Sequence, residues 1–155
     1  MVGGGCRALE LARGVAAEGH AIRAVTRREE RRAQIEQAGA ECVVADPDRI
    51  GSLRYALDNV TVVMWLLGTA TGPGVAALHG SRLEMMLWRT IDTTARGLVY
   101  EAAGTVDREI LESGRALVER FAAYNEIPLQ VLTADPVDRD AWAPAARRAV
   151  DSLLG

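Results

Sequence analysis

The chain opens with Met1-Val2-Gly3-Gly4-Gly5-Cys6-Arg7-Ala8, and eleven residues after Ala8 come Gly19-His20 and the run Ile22–Thr26. Gly3, Gly5 and Ala8 have the G-x-G-x-x-A spacing found where a strand turns into a dinucleotide-binding helix. The first glycine permits the tight turn, the second lets backbone amides approach a pyrophosphate, and the alanine lets the helix lie close to the sheet. The pattern therefore predicts a nucleotide-binding βαβ unit whose contacts are Gly3, Gly5, Cys6, Arg7 and Ala8. A triple glycine alone would also suit a flexible terminus.

Short apolar runs alternate with helix-like segments along the rest of the chain. The predicted strands are Ile22–Thr26, Glu41–Ala45, Thr61–Leu67, Gly97–Glu101 and Leu129–Thr133. Between them apolar residues recur about every 3.6 residues, which predicts helices at about 28–38, 82–95, 107–124 and 143–154. Thr26 with Glu29, and Ser81 with Glu84, have capping-box spacing at two helix starts. The alternation predicts a single α/β domain over residues 1–155, a three-layer sandwich whose doubly wound, Rossmann-like parallel sheet has the order 3-2-1-4-5-6.

The first strand of this predicted sheet is unusually short. Only Met1 and Val2 precede Gly3, whereas a strand normally has about five residues. Either the start lies inside a longer reading frame, or the sheet has a truncated first strand. The first alternative is favoured, because neighbouring strands would otherwise expose unpaired backbone groups.

Composition excludes several classes of protein. The formal net charge is −3 without a block of like charge, which disfavours nucleic acid and anionic membranes as partners. The longest apolar run, Val62–Leu67, is far shorter than the roughly 20 residues of a membrane span. All 18 basic residues are arginine, so Schiff-base and phosphate-loop lysine chemistry are excluded. Two cysteines and no secretory signal favour a cytoplasmic protein, and no residue group has metal-ligand spacing.

The end of the second predicted strand indicates which dinucleotide is bound. It reads Thr26-Arg27-Arg28, where a domain that prefers NAD usually carries an acid for the ribose hydroxyls. Arginine favours a 2′-phosphate, so NADP(H) is expected as the cofactor in preference to NAD(H). The alternative is a solvated helix face on which the arginines pair with glutamates. The cofactor role is preferred for Arg27, and both interpretations stay open for Arg28.

From Gly3 to about Thr133 the chain resembles the NAD-dependent epimerase/dehydratase branch, or atypical members, of the short-chain dehydrogenase/reductase superfamily. The resemblance is carried by the glycine loop and by the segments Gly39–Asp46, Ser52–Val60 and Val62–Leu67. It implies that Asp46 contacts adenine and that Gly68 and Thr69 border the nicotinamide ribose. For Asp46 an Asx turn or cap before Pro47 is the alternative.

The resemblance does not extend to catalytic residues. The family uses a Tyr-x-x-x-Lys pair on the helix after the fifth strand, but this chain has no lysine, and the only tyrosine of that helix, Tyr124, lies at its far end. Thr105, which could replace a family hydroxyl, is better interpreted as a helix N-cap. Glu101 and His79 remain as candidate general acid and base. Their alternatives are an ion pair of Glu101 with one of the many arginines, for example Arg82 or Arg108, and a surface or hydrogen-bonding His79.

Two functions are consistent with these patterns. The first is an NAD(P)-binding oxidoreductase or epimerase-like enzyme with non-standard catalytic residues and a small-molecule substrate. Its substrate pocket would come from the Gly68–His79 loop, the Glu101–Asp107 loop or the second subunit of a homodimer. The alternative is a non-catalytic module that senses NADP(H) and acts through a protein partner.

Overall fold

The computed structural model describes residues 1–155, which form six strands and seven α-helices. The strands are β1 (Val2–Gly3), β2 (Arg23–Thr26), β3 (Glu41–Val44), β4 (Val62–Leu66), β5 (Gly97–Glu101) and β6 (Leu129–Leu132). The helices are α1 (Gly5–Ala17), α2 (Arg32–Gln37), α3 (Arg54–Leu57), α4 (Val75–Leu78), α5 (Ser81–Thr90), α6 (Arg108–Asn125) and α7 (Arg139–Leu154). Short 3₁₀ turns, Glu29–Arg31 and Ile50–Leu53, lead into α2 and α3. No helix combines the length and the apolar character that crossing a membrane requires.

All strands pair in parallel in the order β3-β2-β1-β4-β5-β6, so the predicted fold class and strand order are confirmed. The central strand β1 is only two residues long, and Val2 lies opposite Val25 on one side and Trp65 on the other. Met1 adds to this pairing, because its carbonyl accepts from the Val25 amide at 2.9 Å. Strands β2 and β3 extend the sheet on one side of β1, whereas β4, β5 and β6 extend it on the other side. In sheets of this type a cleft opens at the carboxyl ends of the strands where the order changes direction, here between β1 and β4.

Helices cover both faces of the sheet, and each face has its own apolar core. On one face α1 and α7 pack together over β4 and β5, and the buried indole of Trp142 lies at the centre of this layer. On the other face α3, α4, α5 and α6 pack over the sheet around Trp65 and Leu83. The strands are therefore buried on both sides, as expected of a parallel sheet.

Two predicted helix starts are wrong in their capping chemistry. Ser81 is the first residue of α5 and follows the N-cap Gly80, so its hydroxyl caps nothing. The Thr26 hydroxyl accepts instead from the Arg28 amide at 3.2 Å, which forms a local turn before the 3₁₀ segment. Both pairs of residues have capping-box spacing. However, Thr26 belongs to strand β2, and Gly80 rather than Ser81 occupies the N-cap position of α5, so neither hydroxyl has the backbone geometry of a cap.

The starts of α6 and α7 depend on aspartates rather than on the residues expected. The N-cap of α6 is Asp107, whose carboxylate accepts from the Glu109 amide at 2.8 Å, so the prediction of a Thr105 cap was wrong. Helix α7 begins at Arg139, four residues before the predicted start, because Asp138 caps it. Pro144 lies in the second turn of α7, where its missing N–H removes one i→i−4 hydrogen bond, yet the helix continues to Leu154.

The approach of α6 to β5 depends on Gly114. A Cβ at this position would lie 2.1 Å from Tyr100 Oη and 3.0 Å from the carbonyl oxygen of His79. Both contacts are shorter than van der Waals distances, and Tyr100 is itself buried. Gly114 therefore lets the helix lie directly on the tyrosine hydroxyl.

We predict opposite effects for two helix-interior glycines. Gly114→Ala should lower the free energy of unfolding by about 1–3 kcal/mol, because the new methyl group overpacks the Tyr100 contact. Gly14→Ala in α1 is the matched control, since its Cβ would meet only Arg147 Nη1 at 3.5 Å. Alanine there should stabilise by about 0.5–1 kcal/mol through helix propensity. Urea unfolding measures both changes, and a stable Gly114→Ala protein would show that Tyr100 yields without cost.

Candidate functional site

A cleft of about 470 Å³ lies at the carboxyl edge of the sheet, above the junction of the neighbouring strands β1 and β4. Its walls are the β1–α1 turn, the end of β2 with the segment after it, and the start of the loop after β4. Seven of the predicted contact residues line it: Gly3, Gly5, Cys6, Ala8, Arg27, Arg28 and Thr69. Arg7, Asp46, Gly68, Glu101 and His79 do not line it.

Three successive glycines form the β1–α1 turn with positive φ values of 80°, 87° and 54° at Gly3, Gly4 and Gly5. A Cβ on Gly3 would lie 2.4 Å from the Leu66 carbonyl oxygen, and one on Gly4 would lie 2.4 Å from Ala8 Cβ. Gly5 differs, because no atom lies within 4 Å of its Cβ position. The first two glycines therefore permit close packing, whereas the third leaves open space on the cleft side.

The N-terminus of α1 supplies hydrogen-bond donors at the floor of the cleft. The Ala8 amide donates back to the Gly4 carbonyl at 3.2 Å, whereas the helix provides no acceptor for the preceding amides of Cys6 and Arg7. No acidic residue occupies the first turn of α1, so the positive end of the helix dipole is not neutralised there. The Cys6 side chain is exposed. This arrangement suits a phosphate.

Arginines form the rim of the cleft beyond the end of β2. Arg27 and Arg28 are exposed, and neither guanidinium takes part in an ion pair or a hydrogen bond within the chain. The pairing with glutamates expected for a solvated face is made by Arg32, which bonds Glu29 and lies 3.7 Å from Glu36. Two uncompensated positive charges therefore face the cleft.

The rim contains one arginine that sequence reasoning did not assign to the cofactor. Arg31 is half-buried and lines the cleft together with Gln34. Its Nη2 lies 3.4 Å from Gln34 Oε1. The only sequence signal for this position is that Arg31 belongs to the same charged run after β2 as Arg27 and Arg28.

Asp46 forms the Asx turn that was the alternative to a contact with adenine. Its Oδ1 accepts from the Asp48 amide at 3.0 Å, which is the bond of an Asx turn. Its neighbours Ala45 and Pro47 line the cleft, but Asp46 itself does not. The direct contact with adenine that the resemblance implied stays a prediction.

Glu101 is fully buried at the end of β5 and accepts only from nitrogen donors. Arg7 Nη2 lies 2.9 Å from Oε1 and 2.8 Å from Oε2, and Arg7 Nε lies 3.3 Å from Oε1. The Gly68 amide donates to Oε2 at 2.7 Å, and the Trp142 indole donates to Oε1 at 2.8 Å. Every lone pair of the carboxylate that points into the protein is therefore used.

The partner of Glu101 differs from the one predicted. Arg82 pairs with Asp48 at 3.0 Å and Arg108 pairs with Glu112 at 2.7 Å, so the expected ion pair of Glu101 with an arginine is present, but with Arg7 rather than with either of these two. Arg108 and Arg82 lie on helix surfaces exposed to water, whereas Arg7 enters the interior from the first turn of α1. Arg7 and Glu101 are 94 positions apart in the sequence.

The loop after β4 is fixed on both sides. A Cβ on Gly68 would lie 2.0 Å from the Ala103 carbonyl oxygen, so this position has room only for glycine. The Gly68 carbonyl accepts from the Val106 amide at 3.0 Å. The next residue, Thr69, faces the cleft, and its hydroxyl accepts from Arg7 Nη1 at 3.2 Å. The resemblance predicted these two residues at the site, and Thr69 is the one that lines it.

His79 lies in the core, with 1% of its surface exposed. Its Nε2 lies 3.1 Å from the Leu67 carbonyl oxygen and its Nδ1 lies 2.7 Å from Tyr100 Oη. A carbonyl can only accept, so Nε2 carries the proton and the tyrosine hydroxyl donates to Nδ1. Desolvation by burial lowers the pKa of His79, although the bond to Leu67 opposes the shift. The neutral imidazole links α4, β4 and β5.

Several solved structures have a similar fold, and two of those described here are complexes with nicotinamide dinucleotides. UDP-glucuronic acid 4-epimerase from Bacillus cereus, in complex with NAD, is 11% identical with a TM-score of 0.68, over 86% of this chain and 54% of that chain. Citrobacter sp. triphenylmethane reductase, complexed with NADP(H), is 15% identical with a TM-score of 0.61, over 86% and 48%. ChuY, an anaerobillin reductase from Escherichia coli O157:H7, is 14% identical with a TM-score of 0.57, over 85% and 67%.

These likenesses establish a Rossmann-like fold for this chain. The chain spans about half the length of the epimerase and of the triphenylmethane reductase. No family model matches the sequence, and no curated protein is similar to it.

We predict that His79 makes the protein less stable in mild acid. The unfolded chain has a histidine pKa of about 6.5, and burial lowers the pKa of His79 in the folded chain. The unfolded state therefore binds the extra proton, so stability is complete above about pH 6.5 and falls as the pH drops below that value.

Urea unfolding between about pH 7 and pH 5 measures this loss. His79→Gln should reduce the dependence on pH, whereas His20→Gln, at an exposed position, should leave it as in the wild type. An unchanged pH dependence in His79→Gln would contradict the assignment.

Proposed function

We propose that this chain binds a nicotinamide dinucleotide in the cleft and acts as an oxidoreductase or epimerase-like enzyme. The observation that carries the proposal is the left-handed Gly3-Gly4-Gly5 turn, which brings the free amides of α1 to the floor of the cleft. The turn lies at the switch point of a doubly wound sheet, where such folds bind their ligands. The solved structures described above, which carry NAD or NADP(H), support the same ligand class.

The residues present fit a bound pyrophosphate. The backbone at Gly5 has open space where a side chain would stand, so a phosphate can approach the amide of Cys6. The cleft contributes no carboxylate that would repel it, since none of its lining residues is Asp or Glu. Thr69, Ala70 and Thr71 line the other end of the cleft and would border the nicotinamide ribose.

A preference for NADP(H) over NAD(H) follows from charge at the end of β2. An NAD site places an acid there to bind the ribose hydroxyls, whereas this cleft has the unpaired guanidiniums of Arg27 and Arg28. The adjacent carboxylate of Glu29 bonds Arg32 and does not compensate them. Guanidinium groups bind phosphate through paired, charge-assisted hydrogen bonds.

When bound, the nicotinamide supplies or accepts a hydride. The residues of this chain orient the dinucleotide and hold its charge, and the cleft gives a substrate access beside Thr69. The roles of Glu101 and His79 as acid and base stay predictions. Both side chains are buried with their polar atoms engaged, which favours structural roles. No observation favours the sensing alternative.

Calorimetric titration tests the cofactor assignment. We expect NADPH to bind more tightly than NADH, and Arg27→Ala to weaken NADPH by about tenfold while leaving NADH nearly unchanged. Arg13→Ala is the matched control, because Arg13 is exposed on α1, unpaired and outside the cleft. Equal affinities for the two dinucleotides, or equal losses in the two variants, would contradict the preference for NADP(H).

Loss of nicotinamide absorbance with a panel of carbonyl substrates tests the proposed activity. We expect the wild type to oxidise NADPH. Arg27→Ala should raise the KM for NADPH by about tenfold and leave kcat unchanged, because the lost contact binds the ground state and the transition state equally. Tight NADPH binding without hydride transfer to any carbonyl in the panel would instead support the sensing alternative.

A further inference from the structure

We infer that Arg7 and Glu101 are positioning residues, whose buried ion pair holds the glycine turn and the loop after β4 in the arrangement that binds the dinucleotide. Arg7 lies in the dinucleotide-binding motif, and its side chain would ordinarily be assigned to the phosphates. The geometry points to its guanidinium as an internal connection instead, since Arg7 does not line the cleft. The inference rests on the proposed function.

The guanidinium of Arg7 is bonded within the protein through all three of its nitrogens. Its Nε and Nη2 bond Glu101, its Nη1 bonds the Thr69 hydroxyl, and its carbon lies 5.2 Å from the ring centroid of Trp142. The side chain is 10% exposed and does not line the cleft. These bonds engage four of the five guanidinium N–H groups, which leaves one Nη1 N–H and no forked pair of donors for a phosphate.

Glu101 connects four separate elements through its two oxygens. It lies at the end of β5 and accepts from Arg7 in α1, from the Gly68 amide after β4 and from the Trp142 indole in α7. The Arg7 side chain extends the connection to Thr69, which lines the cleft. A displacement of the carboxylate would therefore move both walls of the cleft, the glycine turn and the β4 loop.

The pair also sets the charge at the cofactor site. Glu101 compensates Arg7, so the favourable charge for the pyrophosphate comes from the amides and the dipole of α1. Removing either partner would leave the other charge buried and unpaired. The side chains would then rearrange toward water, and the cleft is the nearest opening.

The two roles of Arg7 predict opposite results for Glu101→Gln. If the guanidinium only positions, losing the carboxylate disorders the turn and NADPH binds less tightly. If the guanidinium binds phosphate, losing the carboxylate frees a positive charge and NADPH binds as tightly or more tightly. Arg7→Lys also distinguishes positioning from phosphate binding, because lysine keeps the positive charge but cannot make the forked contact to Glu101 and Thr69.

The experiment measures the Kd for NADPH in the wild type, Arg7→Gln, Glu101→Gln, the double variant Arg7→Gln/Glu101→Gln, and Arg7→Lys. Calorimetry is performed at a temperature at which near-ultraviolet circular dichroism shows each protein folded. Arg147→Gln is the control, because Arg147 joins α7 to Glu18 of α1 through a second ion pair far from the cleft.

We expect each single variant, Arg7→Lys included, to raise the Kd by about fivefold or more, and the double variant to bind better than either single glutamine variant. The rescue arises because two amides can hydrogen-bond to each other and no charge is left unpaired. Arg147→Gln should change the Kd by less than about twofold.

Two results would overturn the inference while leaving the proposed function intact. The first is unchanged or tighter NADPH binding by Glu101→Gln, and the second is additive losses in the double variant. If the glutamine variants do not fold, Arg7→Lys decides, since affinity retained in that protein would show that the charge alone matters. A wild type that binds no dinucleotide would instead refute the proposed function, and this inference with it.

Discussion

The turn between β1 and α1 is the constraint on which the other parts of the site depend. Because β1 is two residues long and its next residues approach β4 to within van der Waals contact, the chain can leave the sheet only through a left-handed backbone. Gly3 and Gly4 supply that conformation where a side chain would collide with Leu66 or Ala8. The turn fixes where α1 begins and thereby the direction of its free amides.

The interior near this turn contains several polar side chains, each of which has a hydrogen-bond partner. Glu101 receives donors from three elements, His79 bonds Leu67 and Tyr100, and no buried side-chain nitrogen or oxygen is left without a bond. A buried polar group without a partner costs about 1–3 kcal/mol. These contacts therefore make the arrangement of strand ends specific, where an apolar core would tolerate sliding.

Charge is distributed so that the cleft attracts anions although the chain is acidic as a whole. The formal net charge is −3, yet the residues that line the cleft include arginines and no carboxylate. Seven arginines, Arg32, Arg82 and Arg115 among them, pair with aspartate or glutamate, whereas the three arginines that line the cleft pair with no acid. The charge at the cleft therefore comes from where unpaired arginines are placed, rather than from the total number of basic residues.

The sequence by itself determined the fold class, the strand order and the glycine turn, because these follow from local periodicity and from a backbone conformation that only glycine adopts easily. It also placed Arg27, which follows directly after β2, at the cleft, and the family resemblance placed Thr69 there, in the loop after β4. Tertiary structure alone decided the partner of Glu101, the burial of His79 and the role of Arg31. Each of these depends on how a helix is rotated and set against the sheet, and that rotation is fixed by packing between residues far apart in the chain, such as Arg7 and Glu101.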